Sequence, residues 1–463
     1  MGTSTPNFRF VDLFSGIGGF HHALGSPEFG GQCVMACDID EKCRDVYRST
    51  WPAMPEQWIK DDIRALTRSE DGTDRPLDVL DGLIPDHDVL CAGFPCQPFS
   101  KSGAQMGTLD ATRGTLFFDI ARIVQAKKPR FLILENVRNL AGPRHTQTWD
   151  TIVATLRQLG YLVSGEPLVL SPHLIPHELG GRPQSRDRVF ILAQRRDGDS
   201  AGNVLLDVPR VPVPNWNPSV WNIDDWLVDD DAIDNIEAYA LRPEETAWLE
   251  AWQAFIQGIP SEDLPGFPIW VDAFTEKPKV EASTPAWKAD FLRKNSHFYM
   301  QNRRFIRSWL RKSWIPGEGY RVADFPSSRR KLEWQARSAQ PRRRDRDLWK
   351  LTIHLRPSGI RVKPATYLPA LVAITQTSII GSRRRRITPI EAARLQGIPD
   401  EVFTNSDVED AVAYRQVGNG VNVGVVQYAA AHLFAAGGVD WGRSLYEASG
   451  AGYEQTVLPY AVA

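Results

Sequence analysis

The sequence predicts an α/β protein, with a mostly parallel open sheet carrying helices on both faces and a smaller, irregular domain after it. Three observations carry that expectation. Short apolar runs at residues 8–14, 32–37, 89–92, 131–134 and 189–193 alternate with helix-like stretches at 40–50, 116–128 and 149–160. Such alternation builds parallel sheets through crossover helices. Regularity then stops near Arg195 and returns only near Ile380, while tryptophan becomes frequent, as in a folded second domain rather than a linker. The third observation is size, since 463 residues suffice for two cores.

Each element has a local reason. In the 116–128 stretch, Leu116, Ile120, Ile123 and Val124 share one face, and Lys127-Lys128-Pro129 supplies a favourable terminal charge and then a stop. Residues 244–257 read as an amphipathic helix whose Trp248, Trp252 and Phe255 belong to a core. Thr388-Pro389-Ile390-Glu391 reads as a capping box with proline at the first helical position, and Gly397 and Pro399 close that helix. Residues 421–434 form a small-residue helix suited to close packing on the sheet, and past Gly437 the chain reads as an extension without an assigned role. The expected domains are 1–195 joined by 416–463, and 196–415 including the capped helix 388–396.

Hydrophobic residues make up 42% and charged residues 24%, as in an ordinary soluble protein. No apolar run approaches the roughly 20 residues that span a membrane, and residues 1–10 lack the pattern of a secretory signal, so a cytoplasmic location is expected. The net charge of −2 hides an asymmetry: residues 224–262 are acidic, whereas basic residues dominate 303–346 and recur at 383–386. A local basic face can bind nucleic acid whatever the sum. All five cysteines, Cys33, Cys37, Cys43, Cys91 and Cys96, fall in the first hundred residues. Their spacing lacks the paired pattern of a zinc site and their number is odd, so no metal is expected and the first four read as buried thiols.

Cys96 differs. It sits between Pro95 and Pro98, just past the strand-like 89–92 run, at the carboxyl end where α/β sheets do their chemistry. A second glycine-rich cluster, Asp12-Leu13-Phe14-Ser15-Gly16-Ile17-Gly18-Gly19-Phe20, follows the first strand. Its glycine spacing departs from the dinucleotide fingerprint. With Asp38 ending the second strand and Asp62 a third segment, it suits an adenosine-bearing ligand without a pyrophosphate.

The blocks at 10–24, 89–140, 181–194 and 387–427 together resemble the bacterial restriction-modification DNA (cytosine-5)-methyltransferases in order and spacing. The motifs are Phe14-Ser15-Gly16-Ile17-Gly18-Gly19, Pro95-Cys96-Gln97, Glu135-Asn136-Val137, Gln184-Ser185-Arg186-Asp187-Arg188 and Gly418-Asn419-Gly420-Val421. The resemblance implies a methyltransferase fold with a DNA cleft between its domains. It implies S-adenosylmethionine as donor and S-adenosylhomocysteine as product, with double-stranded DNA as substrate. It places Phe14 and Ile39 against the adenine, Ser15 to Gly19 near the methionine part, and Asp38 on the ribose. Asp62 and Ile63 fall at the adenine edge, Pro95 and Leu116 line the pocket, and Asn419, Gly420 and Val421 close it. Two departures stand out: Ile39 replaces a common large aromatic, and Gly420 replaces a common serine.

In the chemistry so implied, Cys96 adds to cytosine C6 and makes C5 nucleophilic. Glu135 serves N3, Arg188 binds O2 and orients Glu135, and Arg186 supports the ring or the cysteine loop. The base must leave the duplex stack, and the 97–113 segment, with Gln97, Ser100, Ser102 and Arg113, is the expected closing loop. The non-matching insert, about 195–380, falls where the family keeps its recognition region. Arg303, Arg304, Arg342, Arg343, Arg344 and Arg361 are its candidate DNA contacts, and the acidic segment before them is expected to face solvent or pack away from the duplex. A partner endonuclease on the same site, a monomer and no membrane association are expected. An RNA cytosine methyltransferase on the same scaffold and a non-catalytic DNA-binding protein are the competing readings.

Overall fold

The computed structural model describes residues 5–95, 116–164, 166–196, 211–260, 262–371, 377–404 and 408–449. Cys96, Gln97, Ser100, Ser102 and Arg113 lie outside them. The chain divides into two compact units, 1–221 with 369–373 and 392–463, and 222–368 with 374–391.

In the first unit the strands are β1 (Phe8–Leu13), β2 (Gly31–Cys37), β3 (Ile59–Lys60), β4 (Val89–Gly93), β5 (Phe131–Val137), β6 (Tyr161–Val163), β7 (Leu168–Leu170), β8 (Gln184–Ser185) and β9 (Arg188–Arg195). Between them lie α1 (Gly19–Leu24), α2 (Glu41–Thr50), α3 (Ile63–Thr67), α4 (Leu77–Leu83), α5 (Leu116–Lys127) and α6 (Thr146–Gln158). The main sheet runs β3-β2-β1-β4-β5-β9-β6, with β7 also on β9. Pairings from β3 to β5 are parallel, and those of β9 with β5, β6 and β7 are antiparallel. The expected mostly parallel sheet is present. Its antiparallel end is made by β9, which runs against β5 on one side and against β6 and β7 on the other.

Strand alternation buries both faces. Val11 and Leu13 join Leu90, Leu132, Leu134 and Ile191 in a core shared with α3, α5 and α6. Phe8 and Phe131 point the other way, their rings 5.4 and 5.1 Å from that of Phe434.

The second unit holds α7 (Pro243–Gly258), α8 (Ala286–Gln301) and α9 (Arg303–Arg311) with β10 (Ile269–Trp270), β11 (Lys331–Trp334), β12 (Leu351–Arg356) and β13 (Gly359–Pro364). The chain continues through β14 (Leu368–Pro369), β15 (Ile379–Ile380) and β16 (Arg385–Arg386). Its sheet runs β10-β11-β13-β12-β15-β16. Trp248, Trp252 and Phe255 of α7 are buried in its core with Trp309, Ile353 and Val362, as their spacing predicts.

The capping box at the start of α10 (Pro389–Arg394) forms as read: Glu391 N donates to Thr388 Oγ1 at 3.1 Å and Thr388 N to Glu391 Oε2 at 2.7 Å. The first unit then resumes with α11 (Glu401–Thr404), α12 (Asp410–Asn419), α13 (Val423–Ala436) and α14 (Arg443–Ala448). Close packing of α13 needs its glycine, because a Cβ on Gly424 would run into the Gly180 carbonyl.

Two expectations shift. The unit boundaries fall at 221/222 and 391/392 rather than 195/196 and 415/416. Val213 N bonds Leu174 O and the Trp216 and Trp221 indoles bond His173 O, which ties 211–221 to the first unit. Asn422 Nδ2 donates to Leu395 O at 2.9 Å and Val423 N to Gln396 O at 2.8 Å, which does the same for the stretch after α10. Within the extension past Gly437, residues 441–448 pack on the first unit. Trp441 stacks on Phe8 with centroids 4.4 Å apart, and α14 follows it.

Candidate active site

The loop after β1 is built from left-handed residues: Phe14, Gly16 and Gly18 have φ of 58°, 53° and 81°. Ser15 N bonds Cys37 O at 3.0 Å and Gly16 N bonds Asp38 Oδ2 at 2.8 Å, so the ends of β1 and β2 fix the loop. Its back is closed. A Cβ on Gly18 would enter the Trp51 ring, which stacks on His21 at 3.9 Å, and one on Gly19 would press on Val421. Its front is open, for a Cβ on Gly16 would meet nothing within 4 Å.

Asp38 takes a second backbone donor, Asp40 N at 2.8 Å, which leaves each carboxylate oxygen one further acceptor site. Burial raises its pKa against those two hydrogen bonds. The neighbouring Ile39 is 70% exposed, an apolar side chain presented to solvent. Phe14 and Leu116 are half-buried against the core. Ile17 and Ile63 are buried, so backbone alone remains for a ligand there. Asp62 caps α3 through Arg64 N at 2.9 Å and pairs with the Arg64 guanidinium at 2.8 Å. Pro95 and Asn419 are exposed, Gly420 is half-buried and Val421 is buried. An open glycine backbone, a ribose-competent carboxylate and an apolar flank fit S-adenosylmethionine. Among the described residues, no group of three or more His, Cys, Asp or Glu could hold a metal.

Sheet direction assembles the second cluster. Because β9 runs antiparallel to β5, it begins where β5 ends: Arg188 stands opposite Val137, two residues past Glu135. Arg188 Nε lies 3.0 Å from Glu135 Oε1. Glu135 is itself in register with Gly93 at the end of β4, and a Cβ on Gly93 would lie 3.7 Å from Glu135 Oε2. Burial raises the Glu135 pKa, and the Arg188 and Arg186 charges oppose it without cancelling it. A carboxyl held this way can keep its proton nearer neutral pH than an exposed one and give it to a ring nitrogen.

Arg186 is placed differently from Arg188. It is 2% exposed, and its guanidinium donates to the carbonyls of Leu371 (3.3 Å), Gly418 (2.9 Å) and Gly420 (2.7 Å). Burial and the nearby Arg188 charge lower its pKa to about 9, so it stays cationic at neutral pH. It therefore joins the 418–420 turn to the Glu135 field.

Two supporting groups had no role in the sequence reading. Asn136 Nδ2 donates to Phe94 O at 2.8 Å and so holds the chain just before Pro95-Cys96. Ser171 Oγ accepts Arg186 N at 3.0 Å. A buried polar residue inside an otherwise apolar strand was the available signal for Asn136.

The six candidate DNA arginines belong to the second unit and divide by partner. Arg303 pairs with Glu276 at 2.7 Å and Arg361 with Glu333 at 2.9 Å. Arg344 lies 3.6 Å from Asp345, and Arg343 Nε donates to Gln257 O at the end of α7. Arg304 and Arg342 are exposed with no carboxylate partner among the described residues. The acidic segment does not simply face solvent. Its Asp230, Glu245 and Glu250 hold Arg383 (3.9 Å) and Arg385 (2.9 Å), Arg386 (2.6 Å) and Arg384 (3.3 Å), respectively.

The family model for C-5 cytosine-specific DNA methylases matches residues 8–435. The chain is 40% identical over 507 aligned residues to the Type II methyltransferase M.AluI of Cellulosimicrobium cellulans, an alignment covering 92% of each. It is 39% identical over 189 residues to the Type II methyltransferase M.HhaI of Haemophilus parahaemolyticus, which covers 41% of this chain and 50% of that one. The solved structure of the S. pombe Dnmt2 methyltransferase superposes with a TM-score of 0.46 at 16% identity, over 93% of this chain and 99% of that one.

Proposed function

Since the chain belongs to the C-5 cytosine-specific DNA methylase family, we propose that it methylates C5 of one cytosine within a defined sequence of double-stranded DNA, on a base turned out of the helix. The observation that carries the chemistry is the Glu135–Arg188 pair at the shared edge of β4, β5 and β9.

S-adenosylmethionine, when bound, supplies the methyl group. The open backbone of Ser15 to Gly19 takes its methionine part, Asp38 its ribose hydroxyls, and Phe14 and Ile39 flank its adenine. Asp62, Ile63, Pro95, Leu116 and Asn419 to Val421 complete the pocket. The thiolate of Cys96 adds to C6 of the cytosine, and the electron pair displaced from the C5–C6 bond becomes available at C5. Glu135 gives its proton to N3 as charge moves onto the ring, and Arg188 binds O2 while keeping Glu135 in orientation. Arg186 sustains the positive field and the 418–420 turn. After methylation a base removes the C5 proton, the C5–C6 double bond reforms as the Cys96 thiolate leaves, and N3 returns its proton to Glu135. No partner inside an intact stack could reach C6, so Gln97, Ser100, Ser102 and Arg113 are assigned to the loop that holds the extruded base. Action in the bacterial cytoplasm, as a monomer guarding DNA against an endonuclease of the same specificity, completes the proposal.

Bisulfite sequencing of DNA from cells expressing the protein should reveal one protected cytosine in one sequence context. Duplex DNA carrying 5-fluorocytosine at that position should trap a covalent complex, because fluorine cannot leave as a proton does. Cys96→Ser should abolish both methyl transfer and trapping while retaining DNA affinity. Full activity in that variant, or labelled-methyl transfer to RNA and not to DNA, defeats the proposal.

A further inference from the structure

The basic residues of the second unit are far from equivalent, and α9 is where they are least neutralised. From residue 286 to 312, spanning α8 and α9, the chain has eight lysines and arginines against one aspartate, in a protein whose net charge is −2. Ile306 and Trp309 of α9 are buried in the core, and Phe305 and Leu310 pack against it. The opposite face exposes Arg304, Arg307, Ser308 and Arg311, and Lys312 follows at the helix end. None of these cations meets a carboxylate among the described residues. Arg307 Nε bonds the Tyr299 hydroxyl at 3.1 Å, and Lys312 Nζ lies 4.4 Å from the Trp314 ring.

Helix energetics do not explain this stripe. A cation is unfavourable in the first turn, where Arg304 stands, because the positive end of the helix dipole is there. Arg304 with Arg307 and Arg307 with Arg311 are like charges three and four residues apart, which repel. A local rule broken on an exposed face without an internal offset marks a surface shaped for a partner. The spacing identifies the partner's chemistry. Seven residues of helix between Arg304 and Arg311 rise about 10 Å, and about 10 Å of duplex axis carries about three phosphates on one strand.

We propose that the Arg304–Arg307–Arg311 face of α9, with Lys312, grips the phosphate backbone of duplex DNA and positions the enzyme without reading bases. This rests on the reading of the protein as an enzyme of double-stranded DNA. It assigns the non-specific part of binding to one helix. It also excludes the 383–386 run, whose four guanidinium groups already have carboxylates.

The test measures affinity of the full chain for a duplex lacking any methylated site, across a range of salt. Each phosphate contact contributes about 0.9 to the slope of log K against log salt. The variant R304A/R307A/R311A should lose about two to three from that slope and bind both this duplex and the methylated sequence at least about tenfold more weakly. R304K/R307K/R311K should keep most of the slope, since a phosphate needs charge rather than the guanidinium fork. Arg384→Gln should leave it unchanged. An unchanged slope in the alanine variant overturns the inference. So does a loss confined to the methylated sequence, or one seen with duplex RNA but not with DNA. Methyl transfer by the wild-type protein is followed in parallel: its absence on DNA removes the underlying functional reading, whereas methyl transfer with an unchanged slope removes only the role of α9.

Discussion

In the first unit, Arg188 and Arg186 surround a single carboxylate, and Arg186 spends its donors on three backbone carbonyls. In the second, Arg385 is just as deeply placed but saturated with acids. It forms two bonds to Glu391, at 2.7 and 2.9 Å, and one to Asp230 at 2.9 Å, while Glu391 also caps α10 and accepts Val228 N. Glu333 similarly lies between Arg356 and Arg361. The same residue types thus frame the proposed proton donor where carboxylates are scarce and serve architecture where they are plentiful. A buried guanidinium with few acids leaves Glu135 with its pKa raised by burial, ready to exchange a proton. A saturated one locks β16 to the start of α10.

Four changes test that contrast, in order of expected effect. Glu135→Gln keeps the shape of the site but removes its transferable proton, and methyl transfer should fall by about 10²–10⁴ in kcat with the unfolding midpoint nearly unmoved. A large fall in stability instead would make Glu135 architectural. Arg385→Met should do the reverse. Leaving Glu391 buried without its cation should cost about 3–5 kcal/mol in denaturant unfolding, with methyl transfer per folded molecule preserved. Loss of turnover without loss of stability would break the comparison.

The third change concerns His354, on the polar side of β12. Burial, then the charges of Lys363, Arg356 and Arg361, lower its pKa to about 3. Its unfolded value is about 6.5, so the unfolded chain binds a proton that the folded one refuses. The stability this provides is complete above pH 6.5 and is lost progressively as pH falls toward 3, by about 3 kcal/mol at pH 4. His354→Gln should flatten the acid limb of a pH–stability curve by that amount. An unchanged limb would show that His354 is not held neutral. The smallest effect is expected of Gly420→Ser. Its φ is −63° and a Cβ would lie 3.4 Å from Gln416 O, so a side chain fits. A hydroxyl reaching the donor's carboxylate should lower KM for S-adenosylmethionine about three- to tenfold, the value of one ordinary solvent-competed hydrogen bond. An increase would place that carboxylate elsewhere.

Much of the first unit was legible because its strands are buried on both faces and stand out as unbroken apolar runs. β1, β4 and β5 appear within a few residues of where composition puts them. Thr388 announces a helix start through a side chain that bonds its own neighbour. Direction was not legible. Nothing in the residues of 189–193 says that β9 runs against β5, yet that reversal brings Arg188 to Glu135. β6 and β7 have three residues each, too few for a period to show. In the second unit the arginine runs looked uniformly available. Some of their acids come from far along the chain, Asp230 lying 155 residues before Arg385, and no local pattern anticipates such a pair.

The bond from Arg186 to Gly418 closes a gap of 232 residues. At about 5–20 residues per second, a ribosome needs on the order of tens of seconds to supply the second partner after the first. Through that interval the nascent first unit holds a guanidinium whose final acceptors do not yet exist, and the turn that presses Val421 against Gly19 is also missing. Competence to modify a chromosome therefore arrives late and all at once. Truncated or stalled chains would carry the proposed nucleophile and the proposed acid without the completed pocket proposed for the methyl donor.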